Sequence, residues 1–170
     1  MEYVFEDFVF GFIEKELPEI VAMAQKSNTY LDNSKQFNLV PDLMLTIGQK
    51  SFIADTKYKI VYTDEKDPKK GISQNDLYQM LAYAVRFMVD DLILFYPSTV
   101  KGEQDEFSEL SIEDTFANNR KIRIRAFQIP ILNKSLLNTE INQHLNLNDM
   151  FESTKLNLKY KLESILLPSV

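Results

Sequence analysis

Residues 40–59, "VPDLMLTIGQKSFIADTKYK", carry two apolar, β-branched runs on either side of a single glycine. That pattern admits few structures other than a β-hairpin. A two-residue type II′ turn favours glycine at its first position, so Gly48-Gln49 sets the register. Leu43 then lies opposite Ala54 and Leu45 opposite Phe52 on one face. Met44 lies opposite Ile53, Thr46 opposite Ser51 and Asp42 opposite Asp55 on the other. A three-residue turn shifts every pair by one, so this register is an expectation for the structure to decide.

Like charges directly opposed destabilise an antiparallel pair, so Asp42 and Asp55 ask for compensation. One reading supplies a divalent cation: Mg²⁺ is held by one or two carboxylates and keeps several waters for a phosphate. Lys57 stands two residues beyond Asp55 and projects from the same face, within reach of anything bound there. The other reading is structural: Asp42 starts a strand after Pro41, and Asp55-Thr56-Lys57 ends its partner. Spacing alone leaves both open.

The surrounding pattern frames this hairpin. Phe5, Phe8, Val9, Phe12 and Ile13 follow helical spacing, which predicts an opening amphipathic helix interrupted near Pro18. Ser73 caps a second helix with a stripe of Leu77, Met80, Leu81, Ala84, Val85 and Met88. "DLILFYP" reads as a fully buried strand ended by Pro97, and residues 98–119 as the one linker-like stretch. In "NNRKIRIRAFQIP", Lys121, Arg123 and Arg125 alternate with apolar residues, as on a strand with one cationic face. That face is either an edge that blocks aggregation or a ridge for DNA phosphates. Residues 133–170 read as a helical extension. The order helix, hairpin, helix, strand, strand argues for an α/β fold, a mixed central sheet flanked by helices.

Composition excludes several chemistries. There is no cysteine, so disulfides, zinc-cysteine sites and thiol catalysis are absent. The one histidine, His144, lies in a polar stretch and reads as solvated, which argues against a Ser-His-Asp triad. Gly11, Gly48, Gly71 and Gly102 are scattered and form no phosphate cradle. No apolar run approaches the roughly 20 residues of a membrane span, and the acidic N-terminus is unlike a signal peptide. A cytoplasmic protein is expected. The net charge of −6 disfavours nucleic acid on average, but the runs at 63–67 and 102–114 supply much of it.

Pro41-Asp42, followed after a hairpin by Asp55-Thr56-Lys57, resembles the PD-(D/E)XK motif of metal-dependent nucleases. Gln79-x-x-x-Tyr83 in "NDLYQMLAYA" is similar to the helix motif of RecB-like members. "FEDFV", "PDLML", "ADTKYK" and "DLYQMLAYA" together resemble most the McrC family, the nuclease subunit of McrBC-type restriction systems. The likeness covers residues 5–96 well and the remainder loosely. It implies a PD-(D/E)XK restriction-endonuclease-like core in residues 1–132, with 133–170 as its extension. It further implies a Mg²⁺-dependent DNA endonuclease, with Mn²⁺ able to substitute, acting beside a GTPase motor subunit that resembles McrB.

Carried over residue by residue, the resemblance makes Asp42 and Asp55 metal ligands and gives Lys57 the scissile phosphate or the attacking water. Glu6 is similar to the acidic residue that many such nucleases add to the metal shell; a solvated helix glutamate is its alternative, and Glu14 a weaker substitute. Gln79 and Tyr83 lie one turn apart and both can point at the site. Tyr58, Lys59 and Asp76 border it without an assigned role. In the McrC family a motor-binding region precedes the nuclease domain, whereas this chain starts almost at the nuclease helix. The expectation is thus a truncated form, or a short form with another partner or none. Methylation and GTP dependence would belong to the complex, and cutting both strands implies a dimer or larger assembly. A repair or recombination nuclease of the same fold, and a non-catalytic module that binds DNA or a partner, are the competing readings.

Overall fold

Gly48 adopts φ +59°, the left-handed value that the first position of a type II′ turn demands. It reverses the chain between β4 (Leu43–Ile47) and β5 (Lys50–Thr56), and the paired residues are those of the two-residue turn: Leu43 with Ala54, Met44 with Ile53, Leu45 with Phe52 and Thr46 with Ser51. The computed structural model describes residues 1–24, 28–59, 69, 72–98, 107–114, 120–131 and 146–167, with the backbone alone for 107–114. His144, Gly71, Gly102 and the run at 63–67 lie outside the described residues.

The hairpin forms the middle of a six-stranded sheet. In chain order the other strands are β1 (Val21–Ala24), β6 (Asp91–Pro97), β7 (Phe107–Asp114) and β8 (Arg120–Ile129), and the spatial order is β1-β4-β5-β6-β8-β7. β5, β6 and β8 run parallel, and the flanking pairs are antiparallel, so the sheet is mixed. A parallel pair needs a crossover, which α2 (Gln74–Phe87) supplies between β5 and β6. A second ribbon, β2 (Thr29–Tyr30) with β3 (Asn38–Leu39), leads into the hairpin.

Alternation along the strands builds two cores, one on each face. Ile93 and Phe95 of β6 join Leu43, Leu45, Phe52 and Ala54 beneath α1 (Glu2–Glu16) and α3 (Leu147–Leu166). Leu92, Leu94 and Tyr96 join Ile53, Ile122 and Ile124 beneath α2. A strand covered on both faces is apolar throughout, as "DLILFYP" is.

Ser73 caps α2, accepting from Asp76 N at 3.2 Å. Its buried face is rotated from the expected stripe: Asp76, Met80, Tyr83 and Ala84 point inward, Val85 is exposed, and Met88 is 75% exposed at the left-handed C-cap. Hydropathy missed this because Asp76 and Tyr83 are polar groups that become buriable once partnered. On α1 the buried residues are Phe5, Glu6, Val9 and Ile13, whereas Phe8 is exposed and Phe12 partly so. β1 was not read from the sequence. Residues 107–114, read as part of a linker-like acidic loop, form β7 instead, because pairing with β8 recruits a strand whose charge masked it.

The extension expected after residue 132 includes α3, capped by Asn146, which accepts from Asp149 N at 2.9 Å. Leu158, Leu162, Ile165 and Leu166 pack into the same cluster as α1, so α3 is part of the core. Leu162→Ala is expected to cost about 2–5 kcal/mol in urea unfolding. Phe151→Ala, on the exposed side of the same helix, should cost well under half as much.

Candidate active site

Where β5 ends, the chain brings five of the sequence-predicted residues together: Asp42, Asp55, Lys57, Gln79 and Tyr83. Asp55 follows Ile53 by two and so faces α2. Pairing with β6 continues beyond the strand, since Lys57 N donates to Phe95 O at 2.8 Å. Lys59 N then donates to Lys57 O at 2.8 Å, a three-residue turn centred on Tyr58. Lys57 and Lys59 are both held by α2, while Tyr58 is exposed and its ring lies 5.9 Å from that of Phe5.

A directional chain of hydrogen bonds fixes Lys57. Its Nζ donates to Gln79 Oε1 at 2.9 Å, Gln79 Nε2 donates to Tyr83 Oη at 2.7 Å, and Tyr83 donates to the Val40 carbonyl at 2.9 Å. Gln79 and Tyr83, four residues apart, occupy one face of α2, as their spacing predicts. Each group can satisfy the next in one orientation only, so the amide of Gln79 is aligned by both neighbours. The Val40 carbonyl had no signal in the sequence.

Asp42 has the structural role expected of a strand start. Its Oδ2 accepts from Thr56 N at 2.7 Å and from Thr56 Oγ1 at 2.8 Å, which ties off the end of the hairpin. Its charge also acts on Asp55. Thr56, the middle letter of "DTK", thus positions a carboxylate, a role the motif did not indicate.

Asp55 is 0% exposed, and one of its carboxylate oxygens meets the Lys57 ammonium in an ion pair. Burial first, and then the charge of Asp42, push its carboxyl up to about 7 against the opposing pull of Lys57. Burial pulls Lys57 down, but the charges of Asp55, Asp42 and Asp76 prevail and raise it, so the ammonium keeps its proton. Burial and the Asp55 charge raise Tyr83, which stays a phenol and therefore a donor. A carboxylate buried this deeply is costly even when it is paired. Asp42 and Asp55 could together offer carboxylate oxygens to a hard divalent cation such as Mg²⁺.

Other expected members are not gathered here. Glu6 is 7% exposed, so it is not a solvated glutamate, but α1 packs on the sheet face opposite α2. Among the described residues no three acidic or histidine side chains come close enough to hold one metal ion, and Glu6 therefore does not join Asp42 and Asp55. Glu14 is exposed.

The cationic ridge is corrected as well. Arg125 is 9% exposed, donates to Ile165 O in the last turn of α3 at 3.3 Å, and lies 5.7 Å over the Phe127 ring. Arg123 pairs with Asp91, a level about 10 Å back along the strand from Asp55. Lys121 alone of the three remains exposed without either constraint. Alternation correctly separated the faces of β8, but it carries no information about α3 covering one of them.

The raised carboxyl has a consequence for stability. Between its ordinary value of 3.8 and about 7, the folded chain binds a proton that the unfolded chain does not. Metal-free stability is therefore expected to fall as pH rises through that window and to stay low above it. Asp55→Asn should remove that fall: in chelator, urea unfolding should show the variant gaining on the wild type from pH 4 to pH 8 by roughly 2–4 kcal/mol. Parallel pH profiles for the two proteins would contradict this account.

The geometry can be set beside known proteins. A family model described as McrBC 5-methylcytosine restriction system component matches residues 1–97. No curated protein matches the chain. Among solved structures, a chain of the refined half-complex from a tetradecameric assembly of Thermococcus gammatolerans McrB AAA+ hexamers with bound McrC is similar, with a TM-score of 0.62 and 17% identity. The match covers 98% of this chain and 33% of that one, so the chain spans about a third of the length of the structure it resembles. At this identity the likeness concerns the fold, a mixed sheet flanked by helices. The family match takes in more than half of the chain, including "PDLML", "ADTKYK" and "DLYQMLAYA", and the chain belongs to the McrBC 5-methylcytosine restriction system component family.

Proposed function

We propose that this chain is the Mg²⁺-dependent DNA endonuclease domain of a McrBC-like restriction system, with a PD-(D/E)XK core. The observation that carries the reading is Asp55: a fully buried carboxylate that feels the charge of Asp42 and is paired with the Lys57 ammonium. Asp42 and Asp55 would hold the ion, and Mn²⁺ would substitute for Mg²⁺. Glu6 would join them only if α1 moved or water bridged the gap.

Phosphodiester hydrolysis needs an activated water and neutralisation of charge that grows on the phosphoryl oxygens. When bound, the cation lowers the pKa of water and draws charge from the phosphate. The chain's own residues do the rest. Lys57 keeps an ammonium at the buried end of β5, where it can face a phosphate oxygen, and Gln79 holds it there. Tyr83 anchors Gln79 to the Val40 carbonyl, next to the strand that carries Asp42. Thr56 keeps one Asp42 oxygen oriented. Histidine and cysteine are not needed.

With a net charge of −6 and a carboxylate pair at the site, the metal-free protein repels DNA. A bound divalent cation reverses the sign of the local field and makes phosphate binding favourable. The similar structure contains McrB AAA+ hexamers with bound McrC, which supports a GTPase motor of the McrB type as the partner. Dependence on GTP and on 5-methylcytosine would then reside in the complex, in the cytoplasm, with two active sites serving double-strand cleavage. Residues 1–132 would form the nuclease core, and 133–170 its helical extension.

Calorimetric titration of Mn²⁺ tests the site without a motor. Binding is expected in the wild type and should be lost in Asp42→Ala and Asp55→Ala. Lys57→Ala should retain the ion but lower DNA cleavage, assayed with a McrB-type motor and GTP, by about 100-fold or more. If Mn²⁺ failed to bind even with DNA present, a non-catalytic module would become the better reading.

A further inference from the structure

Lys57 and Lys59 leave the same tight turn, and α2 meets each of them: Gln79 takes Lys57, and Asp76, one helical turn earlier, takes Lys59. Asp76 is 7% exposed, an unusual burial for a carboxylate in the first turn of a helix. Its Oδ2 pairs with Lys59 Nζ and accepts from the Tyr96 hydroxyl at 3.0 Å. Lys59 Nζ also donates to Ser73 Oγ at 3.3 Å, the same oxygen that caps Asp76 N, and lies 5.8 Å over the Tyr96 ring. Three elements thus converge on one carboxylate: the tail of β5, the end of β6 and the start of α2.

We propose that Asp76 is a positioning residue that, by anchoring Lys59, clamps residues 57–59 to α2 and thereby aims the Lys57 ammonium at Asp55 and Gln79. The physical need is clear from the side chain. A lysine ammonium sits on a flexible four-carbon stem, and its contacts with Gln79 and Asp55 hold the tip without fixing where the stem begins. A second tether two residues away fixes the backbone from which that stem departs. Both tethers go to one rigid helix, so the distance between Lys57 and Lys59 is set by the spacing of residues 76 and 79. Tyr96 and Ser73 leave Asp76 Oδ2 and the Lys59 ammonium multiply bonded, which suits a network meant to hold one geometry.

A purely structural Asp76 would favour the helix N-terminus and leave Lys57 unaffected by Lys59. The two roles separate by nitrogen-detected NMR of the lysine ammonium groups in the metal-free chain, with the Lys57 signal assigned by its loss in Lys57→Arg. In Lys59→Met, and in Asp76→Asn, each checked for an intact backbone amide spectrum, the Lys57 ammonium protons are expected to exchange with water about tenfold faster than in the wild type, on the scale of one lost hydrogen bond. Asp76→Asn/Lys59→Met should match the larger single effect, because both changes cut one tether. Wild-type exchange in folded Lys59→Met, or additive losses in the double variant, would overturn the proposal. With the motor present, Lys59→Met should lower kcat and leave Mn²⁺ affinity unchanged. The inference rests on the nuclease reading only for the use made of Lys57. Faster Lys57 exchange in a chain whose wild type cuts no DNA would keep the clamp and reject that reading.

Discussion

Asp55 is a carboxylate at the dry end of a central strand, and most of what surrounds the site answers to that burial. Burying an acid there, close to the charge of Asp42, raises its proton affinity and draws an ammonium toward it. Lys57 answers the charge, Gln79 holds Lys57, and Tyr83 holds Gln79 against the Val40 carbonyl. A fold selected for stability alone would place an apolar residue at this position, as β5 does at Ile53 and Ala54. Retaining a carboxylate here stores a local cost that the proposed divalent cation would relieve.

The sheet makes such burial possible. Three parallel strands, each covered on both faces, end at the same side, where backbone pairing gives way to turns. α2 crosses between β5 and β6 and presents residues 76, 79, 80 and 83 along one stripe, of which Met80 fills core and the other three hold polar partners. α1 and α3 cover the opposite face and supply none of these contacts. One face therefore carries most of the packing with α1 and α3, and the other combines packing with the polar network.

Much of the site was legible because the hairpin reports its own register. Glycine at 48 selects the turn, the turn selects the pairs, and the pairs bring Asp42 to the level of Asp55. Spacing on α2 placed Gln79 and Tyr83 on one face for the same local reason. The failures have the opposite origin, in contacts between elements distant in sequence. β7 was hidden because its pairing with β8 is not encoded in its own composition. The Arg125 face was misread as solvent because α3 covers it from 40 residues away in the chain. The stripe of α2 was rotated because the hydropathy of Asp76 and Tyr83 says nothing of Lys59, Tyr96 or the Val40 carbonyl.

The sequence by itself determined the hairpin, its register, the cap of α2 and the placing of Gln79 and Tyr83 on one side of that helix, because each depends on neighbours within one element or one turn. The tertiary structure decided which charges are buried, which are paired and which stay exposed. Nothing in a local window marks Asp76 or Arg125 as buried; each is covered by an element distant in sequence. Burial and pairing arise from the meeting of helices and strands, and they set the electrostatics on which the chemistry depends.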